Sequence, residues 1–441
     1  MIKSWLRKII PGFVLRWYHL LLAGLAVFVY RFPTRRLIVI GITGTKGKST
    51  TAYVLAKMLE AMGERVGLSG TILFKVAEKE WMNDLKMTMP GRFKLQRLFR
   101  QMVRAKCKYA VIEMTSEGVL QHRQRGVDVD VMVFTNLSPE HVERHGGFAN
   151  YKAAKLALFE RVAGTYRKPG VAKSFVVNID DEHAGDFMAK RADHIYTVST
   201  RRASADVYGT DIRSAITGSD WRVHGKPFHI GMLGEVNVLN MLMVLGVGRA
   251  LGFSLEKMER ALTKVPAVPG RMERIDEGQN FMVIVDYAYE PRSVEFLYQA
   301  LHRLKHRSTS RIITVTGSAG GGRDVSRRPV LGRLAAQYCD IVFVTNEDPY
   351  DEDPQSIIDQ VAAGAVAEGK VPGRDVFVER VRREAIRQAL AMARKYDIVV
   401  LTAKGSEVTM GGPGGTYIPW NEREVARELL RKLLRSRRKA E

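Results

Sequence analysis

The sequence predicts an α/β protein: a P-loop-type central domain with a mostly parallel sheet, a C-terminal open α/β (Rossmann-like) domain, and a short apolar helix ahead of both. Three observations predict it. An apolar, β-branched run, Leu37 to Ile40, enters a glycine loop and leaves it as a helix-like pattern at Tyr53, Val54, Leu55, Met58 and Leu59. Further apolar runs alternate with amphipathic stretches, as in a parallel sheet with helical crossovers. The stretch Val265-Pro-Ala-Val-Pro-Gly interrupts a helical pattern before a second set of strands, so it reads as a domain junction. The expected divisions are residues 1–36, 37–268 and 269–441.

The 441 residues, 46% hydrophobic and 26% charged, are those of a folded globular chain with ample core. A formal net charge of +22 suits anionic partners: nucleotides, nucleic acid, a phosphorylated substrate or an anionic membrane surface. It is equally the charge of a basic surface with no dedicated partner. Cys107 and Cys339 show no pairing or metal spacing and read as structural thiols of a reducing compartment.

In residues 1–36, Lys3, Arg7 and Lys8 precede an apolar stretch, Phe13 to Tyr30, closed by Arg31, Arg35 and Arg36. As a helix it is roughly 27 Å long, barely a bilayer core. Arg16 and His19 interrupt it, and no small-residue cleavage site follows. Two readings are open: an interfacial helix, which Trp5, Trp17, Tyr18 and Tyr30 with flanking cations suit, or a helix packed on the protein's own body or on another subunit.

The stretch Leu37 to Thr51 reads LIVIGITGTKGKSTT. Strand, glycine loop, lysine-hydroxyl and helix form a phosphate-binding device in the shorter GxxGKS form, because Ile42 stands where the longer spacing wants glycine. Glycines let backbone N–H groups approach phosphate oxygens, Lys48 neutralises them, and Ser49 is positioned for Mg2+. Arg65 to Leu73 reads as a second strand, and Phe93 to Met102 as a helix. Tyr109 to Glu113 is a buried-type strand ending in a carboxylate, and Val129 to Asn136 is another strand. Ligands of such a sheet gather at the strands' carboxyl ends, which puts Glu113 and the Asn136–His145 loop beside the phosphate loop. Beyond the junction, strands are expected at Phe281 to Val285, Arg311 to Thr316, Ile341 to Thr345 and Asp397 to Thr402. A second glycine loop, GSAGGGRDVSRRP, carries Arg323, Arg327 and Arg328 and suggests an anion site.

In order, GITGTKGKSTT, IEMTSEG, FTNLSPEHVERHGG and NYKAAKLALFE resemble the Mur ligase family, and its MurE-type members most of all. Those enzymes use ATP to join an amino acid to the peptide of a peptidoglycan precursor. The resemblance runs from Leu37 to the C-terminus. It implies ATP contacts from Gly44, Thr45, Lys46, Gly47, Lys48, Ser49 and Thr50. It adds Asn240 on the adenine side, and Arg271 and Asp286 from the second domain. It implies two Mg2+ ions, one held by Ser49 and Glu113, the other by His141 and by Lys155 as a carbamate, and it makes Lys48, Glu113, His141 and Lys155 the catalytic set. Substrate contacts are implied for Thr88, Pro90 and Ser116, with Arg323, Asp348, Tyr350 and Glu407 around the incoming amino acid.

Departures qualify this. Lys46 replaces the more frequent Asn, Glu-His141 replaces Asp-His, Glu117 stands where relatives often have His, and Tyr289 replaces the His of Asp-Tyr-Ala-His. Glu347-Asp348-Pro349-Tyr350 replaces Asp-Asn-Pro-Arg, which removes a carboxylate clamp and would suit a lysine-like ammonium. MurE-type enzymes begin with a domain for the uridine nucleotide, whereas residues 1–36 are apolar and basic.

The expected activity is therefore ATP-dependent addition of the third amino acid to a muramyl dipeptide nucleotide, in the cytoplasm. A membrane-associated ligase acting on a lipid-linked precursor, touching the inner face of the membrane through residues 1–36, is the alternative. A nucleic-acid-stimulated ATPase follows from charge alone, and with no aromatic-basic motif no nucleic-acid partner is expected.

Overall fold

The computed structural model describes residues 12–440 apart from 86, 140–144, 216–217, 233 and 307–308. His141 therefore lies outside the described residues, as do Lys3, Trp5, Arg7 and Lys8. The chain forms two compact units, Met1–Pro266 and Ala267–Glu441.

The first unit is built on eleven strands: β1 (Ile38–Thr43), β2 (Val66–Ser69), β3 (Leu73–Val76), β4 (Lys79–Met82), β5 (Tyr109–Glu113), β6 (Val131–Phe134), β7 (Ser174–Asn178), β8 (His194–Ser199), β9 (Val207–Ala215), β10 (Gly218–Val223) and β11 (Lys226–Ile230). Their order is β11-β10-β9-β8-β7-β6-β1-β5-β2-β3-β4. The strands from β9 to β2 in that order run parallel, and β10–β11 and β3–β4 extend the two edges as antiparallel hairpins. The helices are α1 (Gly12–Val29), α2 (Lys48–Ala61), α3 (Arg92–Arg104), α4 (Ser116–Leu120), α5 (Phe148–Val162), α6 (Ala184–Met188), α7 (Glu235–Ala250) and α8 (Leu255–Leu262). β1, β5, β6 and β7 are almost wholly buried. That is why they read as continuous apolar runs and not as alternating ones.

One strand differs from expectation. Arg65 to Leu73 is two strands, because the chain leaves the sheet after Ser69 and turns back through Gly70 and Thr71 into β3. A Cβ on Gly70 would lie 2.7 Å from Glu113 Oε1, so the turn hugs that carboxylate. The apolar N-terminal stretch is a helix that packs on α3, and no helix among the described residues is long and apolar enough to cross a membrane.

The core of this unit contains a buried charge cluster that sequence pattern did not flag. Asp130 accepts hydrogen bonds from the Val39 amide (2.8 Å), from Lys173 Nζ (3.1 Å) and from Lys168 Nζ. Burial pushes the Lys168 ammonium below its ordinary range, and Asp130 opposes that shift.

The second unit holds β12 (Glu273–Ile275), β13 (Met282–Val285), β14 (Ile312–Thr316), β15 (Ile341–Thr345), β16 (Val376–Glu379) and β17 (Ile398–Leu401) in the order β12-β13-β17-β14-β15-β16, all parallel except β12. A separate hairpin joins β18 (Thr409–Gly411) to β19 (Tyr417–Pro419). Helices α9 (Pro291–Arg303), α10 (Arg327–Tyr338), α11 (Pro354–Ala367), α12 (Arg382–Met392) and α13 (Glu422–Ala440) complete it. Arg382, the first residue of α12, is buried against Glu422, the first residue of α13 (2.5 Å), and also donates to Thr402 O (2.7 Å).

Candidate active site

The loop between β1 and α2 owes its path to two glycines. Gly47 sits at φ +81°, and a Cβ there would come 2.3 Å from Asn240 Oδ1; at Gly44 a Cβ would lie 1.9 Å from Thr135 Oγ1. Neighbours grip the loop on several sides. The Lys46 amide donates to Asn136 Oδ1 (2.8 Å), Thr135 Oγ1 donates to Lys46 O (2.7 Å), and Thr45 Oγ1 meets the Tyr151 hydroxyl (3.1 Å). Lys48 Nζ folds onto the carbonyls of Gly44 and Thr45, each at 2.8 Å, which holds its charge against the loop. Thr50 is buried in the first turn of α2. Gly47→Ala combines a strained φ with an oxygen contact, so ATP binding is expected to weaken at least about tenfold. An unchanged Kd for ATP by titration would show that the loop relaxes instead.

Glu113 ends β5 next to β1, paired in register with Ile42, and is 1% exposed. It accepts hydrogen bonds from Ser49 Oγ (2.8 Å), the Thr71 amide (2.6 Å) and Thr71 Oγ1 (2.9 Å). The Ser49 hydroxyl and the Glu113 carboxylate are thus hard oxygen donors side by side at a phosphate loop. They fit Mg2+, which takes one or two protein oxygens and completes its shell with phosphate and water. From α5, Lys155 reaches the same loop: its Nζ donates to Gly44 O (2.7 Å), lies 4.7 Å from the Tyr151 ring centre, and the residue is 1% exposed. An unmodified ammonium repels a cation, so Lys155 fits a second ion only if its nitrogen carries a carbamate.

The residues expected on the substrate side gather nearby. Thr88 Oγ1 accepts from Thr71 Oγ1 (2.9 Å), so Thr71 links it to Glu113. Pro90 is buried beside Met89, whose carbonyl accepts from Arg123. Ser116 Oγ lies 3.0 Å from His145 Nε2, and His145 is buried against Tyr151. Asn240 is buried behind the loop, accepting from Thr51 Oγ1 (3.5 Å) and donating to Asn237 Oδ1 (3.3 Å). Thr71, Thr135 and Tyr151 were not singled out from sequence as loop residues. Asn136 was discoverable as the polar residue ending a strand, whereas Thr71 carries no local signal.

In the second unit, Asp286 follows β13 and accepts the amides of Met272 and Ala288, both at 2.7 Å. The Arg271 guanidinium stacks over Tyr287 at 4.3 Å. Tyr287 donates its hydroxyl to Glu407 Oε1 (3.0 Å), and burial followed by the Glu407 charge pushes this phenol well above its ordinary value. Lys404 ties the pocket together, donating to Glu407 Oε2 (2.5 Å), Asp348 Oδ1 (3.0 Å) and Thr409 O (3.0 Å). Burial works against its ammonium, and the Glu407 and Asp348 carboxylates more than offset this. Asp348 also accepts the Gly411 amide, so an internal lysine already neutralises a carboxylate expected to serve a substrate ammonium. The arginines of the second glycine loop also have internal partners. Arg327 pairs with Glu290 and Arg328 with Glu352, while Arg323 lies over the Tyr350 ring and donates to its hydroxyl (3.2 Å).

Glu347 is the exception among these carboxylates: it is 5% exposed, and its Oε2 has no hydrogen-bond partner among the described residues. Burial, then the charge of Asp348, raise its pKa above the ordinary carboxylate range, against the pull of Lys404 and Arg382. A carboxyl raised on folding contributes stability below the unfolded-state pKa and loses it as pH rises through the folded one. Glu347→Gln is therefore expected to raise the melting temperature at pH 8 and not at pH 4; equal shifts at both would refute the cause.

Comparison with known proteins follows the same layout. The profile of the Mur ligase middle domain matches residues 42–248, and that of the Mur ligase glutamate ligase domain matches residues 270–405. UDP-N-acetylmuramyl-tripeptide synthetase of Roseiflexus sp. is 40% identical over 93% of this chain and 82% of its own length. UDP-N-acetylmuramoyl-L-alanyl-D-glutamate–2,6-diaminopimelate ligase of Geobacillus kaustophilus is 37% identical over 92% and 81%. Among solved structures, a UDP-N-acetylmuramoyl-L-alanyl-D-glutamate–2,6-diaminopimelate ligase superposes with a TM-score of 0.63 at 26% identity, covering 90% of this chain and 78% of that one. Mycobacterium tuberculosis folylpolyglutamate synthase, at 18% identity over 86% of this chain and 91% of its own, shares the fold with a TM-score of 0.66.

Proposed function

The chain belongs to the Mur ligase family, with MurE-type relatives, and from that premise we propose that it adds the third amino acid of a peptidoglycan precursor to UDP-N-acetylmuramoyl-L-alanyl-D-glutamate at the expense of ATP. The observation that carries this is the juxtaposition of Lys48, Ser49, Glu113 and Lys155 on one phosphate loop. Backbone amides around Gly44 and Gly47, with Lys48, receive the triphosphate. The γ-phosphoryl group passes to the acceptor carboxylate, giving an acyl phosphate and ADP. The amine of the incoming amino acid then attacks the acyl carbon, phosphate leaves, and a proton is lost from nitrogen. Ser49 and Glu113 would hold one Mg2+, and His141 with carbamylated Lys155 would hold a second; when bound, such ions would supply positive charge to offset that developing on the transferring phosphoryl group. Thr88, Pro90 and Ser116 orient the acceptor, while Asn240, Arg271 and Asp286 serve the nucleotide.

For the incoming amino acid, Arg323 takes the carboxylate, framed by Tyr350, Asp348 and Glu407. The buried oxygen of Glu347, without a hydrogen-bond partner among the described residues, favours an amino acid with a second ammonium, lysine or diaminopimelate. The test is phosphate release from ATP with a muramyl dipeptide nucleotide and each amino acid in turn. Turnover with one cationic amino acid is expected. Release that answers to DNA or RNA and to no amino acid would sink the assignment.

A second reading, the same chemistry on a lipid-linked acceptor at the inner face of the membrane, is favoured by the exposed apolar face of α1. Comparing turnover of nucleotide-linked and lipid-linked dipeptide acceptors separates the two.

A further inference from the structure

We infer that the outer face of α1 is a docking surface for an anionic lipid bilayer. The helix is amphipathic the wrong way round for a helix that serves only its own core. Its fully buried side chains are small, Ala23, Ala26 and Val27, all 6% exposed or less, with His19 and Leu20 half-buried on the same side. Those turned outward are large: Trp17 is 64% exposed, Leu21 69% and Phe28 73%, with Tyr18, Leu25 and Val29 each more than half exposed. At the helical angle of roughly 100° per residue, these six fall within an arc of about 120°. Single exposed apolar residues need no explanation, whereas a contiguous stripe of this kind marks a contact surface.

The face is held in a fixed orientation. Val27 packs against Gly126 so tightly that a Cβ there would come 2.0 Å from Val27 Cγ2. Just after the helix, buried Thr34 donates to Gly126 O (3.1 Å) and to Asp128 Oδ2 (3.0 Å).

Charge identifies the occupant. Beside the C-terminal end of the stripe lies a groove of about 460 Å³ walled by Tyr30, Arg31, Arg97, Arg100 and Arg104. The sequence has no Asp or Glu before Glu60, and none between Asp84 and Glu113, so neither α1 nor α3 brings a carboxylate of its own to this wall. Arginines that pair with no carboxylate among the described residues, bordering an apolar stripe with aromatic residues, form the arrangement of a helix lying in the headgroup region, its cations on lipid phosphates. A second copy of the chain would set the same positive wall against itself, which opposes a symmetric dimer over this face. No helix among the described residues is long and apolar enough to cross a membrane, so the inferred contact is one that lies on the bilayer.

The inference is independent of the acceptor's identity and is tested with the full chain. Co-sedimentation is measured with phosphatidylglycerol–phosphatidylcholine vesicles and with pure phosphatidylcholine vesicles. Salt-sensitive binding to the anionic vesicles is expected. Leu21→Asp with Phe28→Asp, both surface changes, should cost at least about tenfold in affinity, with an unaltered circular dichroism melt. Arg97→Glu with Arg100→Glu should weaken binding about fivefold per arginine and flatten its salt dependence. Equal binding to neutral vesicles, or undiminished binding by the double aspartate variant, would overturn the inference. So would a wild-type dimer that ignores vesicles and becomes monomeric on the double substitution, which would assign the face to a second copy.

Discussion

Replacing Lys155 by alanine is expected to lower ligation by about a thousandfold or more, the scale of losing a main stabilising group at a phosphoryl-transfer site. ATP binding should change little, because in the proposed site the loop's own amides and Lys48 receive the phosphates. Lys155 reaches Gly44 O from a buried position on α5, and an unmodified ammonium there has no lone pair to offer the second ion proposed above. Capping its nitrogen with carbon dioxide converts a cation into an oxygen ligand. Short carboxylic acids supplied to the alanine variant should restore part of the rate, since they offer the missing oxygens. Carbon-13-labelled bicarbonate should give a carbamate resonance in the wild type that the variant lacks. Normal turnover by the alanine variant, or a wild type without that resonance, would remove the carbamate from the scheme.

Asp130→Ala is expected to cost about 3–5 kcal/mol of stability, as when one partner is taken from a buried ion pair. The loss leaves Lys168 and Lys173 buried without their carboxylate, and the Val39 amide without its side-chain acceptor. Against a typical total of about 5–15 kcal/mol, that is enough to unfold a marginal protein. Asp130→Asn keeps an acceptor for Val39 and should recover roughly 1 kcal/mol of the loss. The urea midpoint followed by circular dichroism measures both; a shift of Asp130→Ala within error of wild type would mean the lysines escape to solvent.

The two α/β layouts were legible because buried parallel strands are apolar without alternation, as in Tyr109–Glu113 and Ile341–Thr345, and their shortness and β-branched content separate them from buried helix segments. The edge hairpins β3–β4 and β9–β11 were not, since half-exposed strands such as Lys79–Met82 carry no apolar run to announce them. At the site, residues inside ordered motifs could be named in advance: Ser49 meets Glu113, and Lys155 reaches the phosphate loop. Partners supplied by tertiary closure could not. Nothing local marks Thr71 as the residue that saturates Glu113, or Lys404 as the cation between Asp348 and Glu407. Three loop arginines looked alike in sequence, and only folding shows that Glu290 and Glu352 take up two of them.

The Arg382–Glu422 pair has a consequence for biosynthesis. Arg382 is enclosed by the second unit's core, and its counter-charge is the first residue of the last helix, where Trp420 Nε1 also binds it (2.7 Å). While the chain is still being made, a nascent second unit ending before residue 422 would have to bury a guanidinium without its carboxylate, which opposes closing the core. The first unit, whose sheet is complete by Ile230, carries no such dependence on the chain's end. The first unit is therefore expected to be able to close during translation, and the second only once Glu422 has emerged.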